Sequence, residues 1–274
     1  MANLSNTIAA ATGTVESIEA IGAALLAEHR SAGRDRRFAE RHGIAGLPAA
    51  YDAQDAFVAR LADSEQTTVA GYKLGLTSTN MQQTSGITHP VAGAVLASAI
   101  STTPHRLRIA DFGRLALEFE IVVRLGRDLS GPAPIGIDQV AAATDAVAPT
   151  IEIIDIRDAD LKAIDVLSLV AQNTWSTGFT IGELHKSWPD LASVVGRVAL
   201  NGKEIDQGIG SMALGHPFAS VAWLANHFIT RGKTLKAGSI VSTGNIATVR
   251  FPIAGERYRF SLDGLGSVEV EVGP

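Results

Sequence analysis

The sequence contains no cysteine. Disulfides, thiolate nucleophiles, iron–sulfur clusters and cysteine-ligated zinc are therefore excluded. Basic residues are in deficit: 23 Lys and Arg stand against 28 Asp and Glu, a formal net charge of −5. With no basic field to draw in nucleic acid or an anionic lipid surface, neither is expected as a partner. No segment approaches the roughly 18 consecutive apolar residues that a membrane span requires. The N-terminus has no basic stretch leading into an apolar core, so no secretory leader is expected and a reducing cytoplasm is the default location. Several catalytic signatures are missing too. GLTSTNMQQTSG (Gly75 to Gly86) lacks the Gly-Lys-Ser/Thr of a phosphate-binding loop. GIGSMALG (Gly208 to Gly215) lacks the third glycine of a dinucleotide fingerprint. There is no Gly-x-Ser-x-Gly elbow. His29, His42, His89, His105, His185, His216 and His227 form no His-x-His or His-x3-His pair, so each is expected at the surface or at a helix cap.

What is present describes a compact globule: 46% hydrophobic and 19% charged residues. No repeat or Pro/Ser-rich linker divides residues 1–274, so one α+β domain is expected. Residues 1–13 carry no pattern. A helix is expected from near Thr14, with Ile18, Ile21, Leu25 and Leu26 on one face and SAGR closing it. A second runs from Ala50 to Leu61, with Tyr51, Phe57, Val58 and Leu61 inward. Residues 1–68 are thus mainly helical, and residues 69–274 form a β-rich catalytic part. There, TVAGYKLGLTS mixes branched, aromatic and glycine residues, and LALEFEIVVRL and PTIEIIDI alternate with period two. HPFASVAWLANHFITRG (His216 to Gly232) reads as a helix, with Pro217 in its first turn and Gly232 at its end. RYRFSL and SVEVEV form a hairpin around Asp263-Gly264, with Tyr258, Phe260 and Leu262 inward and a loop longer than two residues.

The chemistry begins at LALEFEIVV (Leu115 to Val123). In a strand, Phe119, Ile121, Val123 and Leu125 share one face; Glu118, Glu120, Val122 and Arg124 share the other. That second face either meets water or holds something positive. Glu152 shares its face with Ile154 and Ile156. It either reaches water at a strand end or is paired or metal-bound, because a lone buried charge is costly. Three carboxylates brought together would raise one another's pKa values, and a divalent cation removes the conflict. Oxygen ligands alone select a hard ion, Mg2+, Mn2+ or Ca2+, over Zn2+. Lys73 has Gly71 and Gly75 on its own strand face. Either it snorkels to water, or a ligand approaches the bare backbone beside it and uses it as proton donor, proton acceptor or counter-charge.

Taken in order, GYKLGLTS, LEFEIVVRLGRDL, PTIEIIDIR, LGHPFASVAWLAN and LKAGSIVSTG resemble the hydratase/decarboxylase family (2-keto-4-pentenoate hydratase and 4-oxalocrotonate decarboxylase) of the fumarylacetoacetate hydrolase superfamily. The resemblance runs from about residue 50 to the C-terminus. It implies a mixed β-roll of the fumarylacetoacetate hydrolase C-terminal type, flanked by helices, with a helical N-terminal part. It implies that Glu118, Glu120 and Glu152 bind Mg2+ or Mn2+ and that Lys73 takes part in proton transfer. It places Leu76, Val91, Gln172, Trp175 and Ser176 against the substrate, a small 2-oxo acid. It also implies a homo-oligomer and, in one reading, a partner enzyme of the same pathway.

Two motifs depart from the family. Its PDFG-like motif reads HPVAG here, with Val91 and Ala92 where hydratases usually carry an acid, which tilts the expectation toward decarboxylation. Its VADNASS motif reads VAQNTWS, with Gln172 for an acid and Trp175 for a small serine. A tryptophan in the pocket implies a shorter or flatter substrate; the alternative is a core tryptophan. The expected activity is a metal-dependent lyase, leaning to a 4-oxalocrotonate-type decarboxylase of a 2-oxo-enedioate, with 2-keto-4-pentenoate-type hydration as the alternative. Two further readings are an acylpyruvate C–C hydrolase, which needs a histidine–acid pair that no motif supplies, and a non-catalytic assembly partner of a pathway enzyme.

Overall fold

The structure is a computed structural model that describes residues 16–31, 33–132 and 134–274. The expected unpatterned segment 1–13 and the helix start at Thr14 lie outside the described residues. Helix α1 (Ile18–His29) begins at Ser17, whose hydroxyl accepts from Ala20 N at 3.2 Å. Ile21 and Leu25 are buried, Leu26 is half-buried and Ile18 is exposed, so the apolar stripe is narrower than its spacing suggested. After the single turn α2 (Phe38–Arg41), α3 (Gly46–Glu65) outruns the expected Ala50–Leu61 segment at both ends. Pro48 is tolerated because a first-turn residue has no intrahelical N–H bond to lose. Gln66, at φ +52, ends the helix. Gly22 lets α1 lie close on α3: a Cβ there would stand 2.9 Å from Ala56 Cβ.

The strands are β1 (Val69–Gly75), β2 (Val91–Leu96), β3 (Ile100–Thr102), β4 (His105–Arg108), β5 (Leu115–Leu125), β6 (Thr144–Asp155), β7 (Ser176–Ile181), β8 (Val195–Leu200), β9 (Lys203–Ile209), β10 (Ile240–Ser242), β11 (Arg257–Leu262) and β12 (Ser267–Gly273). They make a mixed seven-stranded sheet, β2-β1-β10-β5-β6-β7-β3, and a five-stranded sheet, β4-β12-β11-β8-β9. Four further helices complete the chain: α4 (Thr79–Thr84), α5 (Ile137–Ala143), α6 (Val166–Ala171) and α7 (Pro217–Thr230). The first three are too short for a helical period to register in sequence. In α7 the expected capping is present. His216 Nδ1 accepts from Phe218 N at 2.9 Å, Pro217 opens the helix, and Gly232 follows its C-cap at φ +67. The β11–β12 hairpin buries Tyr258, Phe260 and Leu262 as their alternation requires.

One contiguous set of buried side chains runs from Ile21 to Val272 and joins both sheets to the helices. Phe119, Ile121 and Val123 of β5 belong to it. The opposite face of β5 and β6 is layered. At one level Val122 and Ala148 are sealed with Val95, Phe179 and Ile181. At another, Ala116, Ile154 and Ile156 pack with Ala159. By the period-two rule Glu118, Glu120 and Glu152 fall between these apolar layers. Among the described residues, no helix is long and apolar enough to cross a membrane.

Candidate metal centre and substrate cavity

β5 and β6 pair antiparallel along their length, with Glu118 directly opposite Glu152 and Glu120 opposite Thr150. Like charges facing one another across strands are unfavourable. Water does not relieve them: Glu120 and Glu152 are 0% exposed, and Glu118 is half-buried. One carboxylate oxygen from each of the three lies within 4.8 Å of the others. The wet-face alternative for β5 is therefore closed.

β10 supplies the support. It runs parallel to β1 and antiparallel to β5, so its end brings Ser242 beside Lys73 and Val122. Ser242 Oγ and Gly244 N both donate to Glu120 Oε2, the latter at 2.7 Å. Gly244 has φ +111, and a Cβ there would come within 2.6 Å of Thr77. Asn245 Oδ1 accepts from Phe119 N at 3.0 Å and ties the turn to β5. Ser242 and Gly244 fall within the LKAGSIVSTG motif, but the sequence assigned no role to them or to Asn245. The Ser-Thr-Gly-Asn run behind a strand was the available signal.

Glu120 Oε1 and both oxygens of Glu152 are buried with no hydrogen-bond partner among the described residues. Lys73 Nζ lies 3.2 Å from Glu152 Oε1, an ion pair that lacks hydrogen-bond alignment. Lys73 is 3% exposed, so it does not snorkel. Gly71 is glycine for a different reason than ligand approach. A Cβ there would stand 2.4 Å from Ile240 O, so the neighbouring strand, not a ligand, demands glycine. At Gly75 a Cβ would stand 3.5 Å from Lys73 Nζ.

Burial and charge set the protonation of this cluster. Burial pushes Glu152 up to about 7; Lys73 pulls it down and the Glu118 charge pushes it up. Burial raises Glu120 well above the usual carboxylate range, and the charges of Glu152 and Glu118 add to that. Burial pulls Lys73 down, but Glu152, Glu118 and Glu120 together outweigh it and hold the ammonium above its usual value. Three carboxylates and three orphaned buried oxygens, with no sulfur or imidazole in the set, suit a hard divalent cation.

A cavity of about 320 Å³ opens on Lys73 and Glu118. Leu76 and Trp175 line it, as expected, together with Thr77, Ser78 and Asn245, which the sequence had not singled out. Ile154, Ile156, Leu161, Ile164 and Val249 give it an apolar side. Three residues expected against the substrate lie elsewhere. Val91 is sealed in the core at 0% exposure, close to Gly75. Gln172, at the C-cap of α6, reaches the N-terminal part instead: Nε2 donates to Glu28 Oε1 at 2.9 Å and to Asp35 O at 2.8 Å. Ser176 borders a separate small cavity; its hydroxyl is near enough to Glu152 to favour the charged carboxylate, yet meets no hydrogen-bond geometry.

Trp175 is presented by strained backbone. Asn173, Thr174 and Trp175 have φ of 55°, 54° and 59°, a left-handed run that is costly for side-chain-bearing residues. The Asn173 amide compensates by pairing with Ala94 N at 2.7 Å and Ala94 O at 2.8 Å. Gly93 leaves the room: a Cβ there would stand 2.2 Å from Thr174 Oγ1. Gly93→Ala is expected to displace this turn and cost about 2 kcal/mol, read as a lowered Tm.

The chain resembles known proteins in the same region. The fumarylacetoacetate (FAA) hydrolase C-terminal family model matches residues 70–273. A 4-oxalocrotonate decarboxylase of Pseudomonas sp. (strain CF600) is 36% identical over 225 residues, covering 80% of this chain and 83% of that protein. A 2-hydroxyhexa-2,4-dienoate hydratase of Comamonas testosteroni is 33% identical over 221 residues, covering 77% and 81%. The solved structure of 4-oxalocrotonate decarboxylase from Pseudomonas putida G7, complexed with magnesium and adipate, superposes with a TM-score of 0.87 at 28% identity, covering 95% of this chain and 99% of that one. Both activities among these relatives are lyase reactions, and the margins between them do not separate one from the other.

Proposed function

The protein belongs to the fumarylacetoacetate hydrolase C-terminal family and is an enzyme of lyase type; from that premise we propose that it acts on a small 2-oxo or 2-hydroxydienoic acid with Mg2+ or Mn2+ at Glu118, Glu120 and Glu152. The observation that carries this reading is the convergence of three carboxylate oxygens within 4.8 Å beside a buried ammonium. When bound, a divalent cation supplies the positive charge that steadies a developing enolate oxygen. Ser242 and Gly244 hold Glu120 by one oxygen and leave the other free. Lys73, anchored by Glu152, holds a proton at Nζ beside the cavity and is the group proposed to pass it to or from the substrate. The apolar side excludes water from the conjugated chain.

Within this class the finer reading is decarboxylation of a 2-oxo-enedioate. The bond to the distal carboxylate breaks, its electron pair moves along the conjugated chain to the 2-oxo oxygen, and CO2 leaves. Val91 stands where hydratases usually carry an acid, but its side chain is sealed in the core, so the support comes from the cavity itself. The cavity has an apolar side, which suits a distal carboxylate that must lose its charge. Hydration of a 2-hydroxydienoate is the second reading, since a vinyl end also fits those walls. The non-catalytic reading is weakened because Gln172 faces Glu28 and Asp35 rather than the cavity. We also propose a homo-oligomer.

The test supplies Mg2+ and follows ultraviolet absorbance and CO2 with 2-oxo-3-hexenedioate and with 2-hydroxypenta-2,4-dienoate. CO2 from the first with no turnover of the second is expected. Turnover of the second alone makes the protein a hydratase. Pyruvate release from acylpyruvates, with neither substrate consumed, makes it a hydrolase.

A further inference from the structure

Beside the main cavity lies a much smaller one of about 20 Å³, bordered by Arg34, Asp155, Gln172 and Ser176 among others. That is room for about one water. Among the described residues, Trp175 is the one that borders both cavities. The Arg34 guanidinium carbon lies 5.2 Å from the centroid of the Trp175 ring, a cation–π contact. Arg34 Nη2 donates to Asp155 O at 2.7 Å, but its Nε is buried with no hydrogen-bond partner among the described residues. Ser176 Oγ is in the same condition. A buried donor left unused on a half-buried cation is costly, and here it stands one indole away from a cavity with apolar walls. The indole is fixed in place. Its Nε1 donates to Gln172 Oε1 at 3.0 Å, and its backbone keeps the strained φ of 59°. Strain of this kind persists where the surroundings over-determine it.

We propose that Trp175 is a specificity-determining wall that keeps the Arg34 guanidinium away from the distal end of a bound 2-oxo acid. The inference rests on reading the larger cavity as the substrate site. Its chemical sense follows from the charge change in the reaction. A distal carboxylate held by a guanidinium through charge-assisted hydrogen bonds is stabilised as the anion. Departure of neutral CO2 forfeits that stabilisation, so the contact raises the barrier. Screened by the indole, the same carboxylate lies against Ile154, Ile156 and Leu161, where its charge is poorly solvated and its loss brings relief. Gln172 is then a positioning residue, acting through the indole that it holds by a hydrogen bond. This gives the Gln172–Trp175 pair one joint role, although only one of the two touches the cavity.

The test uses the Mg2+-loaded protein and a matched pair of non-reactive acids, 2-oxohexanoate and 2-oxohexanedioate. They differ in a methyl against a carboxylate at the far end. Calorimetric titration is expected to show that the unchanged protein binds the monoacid at least as tightly as the dioate. Trp175→Gly removes the wall and suits the left-handed backbone. It is expected to shift the ratio toward the dioate by about ten- to a hundredfold. Trp175→Gly combined with Arg34→Gln loses that gain. Trp175→Phe keeps a wall and keeps the original ratio. Arg34→Gln alone, which needs no change at Trp175, leaves the ratio where it began. A tenfold loss of dioate binding in Arg34→Gln alone, or an unchanged ratio in a folded Trp175→Gly, overturns the proposal. If neither acid binds the Mg2+-loaded protein, the reading of the cavity itself fails, a different result from either of these.

Discussion

Glu152→Ala is expected to abolish divalent-cation binding and turnover together while leaving the fold intact. The change removes one of three gathered carboxylates, and the one that carries the ion pair to Lys73. Groups that merely support a metal's ligands are worth about 10- to 100-fold in affinity, so loss of a ligand is expected to cost more than about 100-fold. Turnover is expected to fall by about a thousandfold or more, the scale of losing electrostatic stabilisation at the reacting oxygen. The protein should still fold. Glu152 is a buried acid with neither oxygen hydrogen-bonded, and Glu118 and Glu120 still face Lys73 once it is gone. Calorimetric titration with Mg2+ and Mn2+, beside a melting curve without metal, separates the effects. Retained turnover in a variant that binds no cation would remove the metal from the reaction altogether. A collapse of the metal-free melting temperature would instead make Glu152 a structural residue.

Without metal, the protein is expected to be more stable near pH 5 than near pH 8, and a saturating divalent cation is expected to remove that difference. Glu152 titrates at about 7 in the folded protein against 4.5 for an exposed glutamate. The folded state therefore holds the proton more tightly than the unfolded state. Below 4.5 the group is protonated in both states and exerts no pull. As pH rises toward 7, stability falls by about 1.4 kcal/mol per unit, on the order of 3 kcal/mol for this fully buried group, and it does not recover above 7. Glu120 is raised as well and acts in the same direction. Lys73, held above its usual value, keeps its contribution throughout this window and loses it only in strong alkali. A cation binds the carboxylates in their charged form, so it stabilises most where they are deprotonated. At 100 times its Kd it is worth about 2.7 kcal/mol. Denaturant unfolding across this pH range, with chelator and then with Mg2+, reads both arms. An identical slope in the two conditions would dissociate the cation from these three glutamates.

Much of this protein is legible in its sequence. The absence of cysteine confined any metal to oxygen and nitrogen ligands. Period two in LALEFEIVVRL placed Glu118 and Glu120 on one face and Phe119, Ile121 and Val123 on the other, because side-chain direction in a strand is a local property. The stripe of α7, its Pro217 start and its Gly232 end were likewise local, and they stand as read. The short helices α4, α5 and α6 were not legible, since six or seven residues do not complete enough turns to show a period. Gly71 misled for a related reason: the sequence shows that a Cβ is missing but not what comes close, and here it is Ile240 O. Val91 and Gln172 misled because a matching motif gives position along the chain and not direction in space.

What the sequence determined by itself is therefore the chemistry of the donors: oxygen ligands for a hard cation, a lysine among glycines, and strands with their two faces assigned. What only the tertiary structure decided is the meaning of those faces. Whether the glutamate face of β5 is wet depends on what covers it, and that is settled by apolar side chains of β2, β6 and β7, far away along the chain. Strand register, set by partners such as Glu118 and Glu152 lying opposite one another, decides whether three carboxylates converge or remain apart. The same holds for Trp175, whose indole, tied to the nearby Gln172, has Arg34 on its ring from far away along the chain and so divides two cavities. Side-chain direction is local, but burial and convergence are sums over the whole folded chain, and no stretch of sequence contains them.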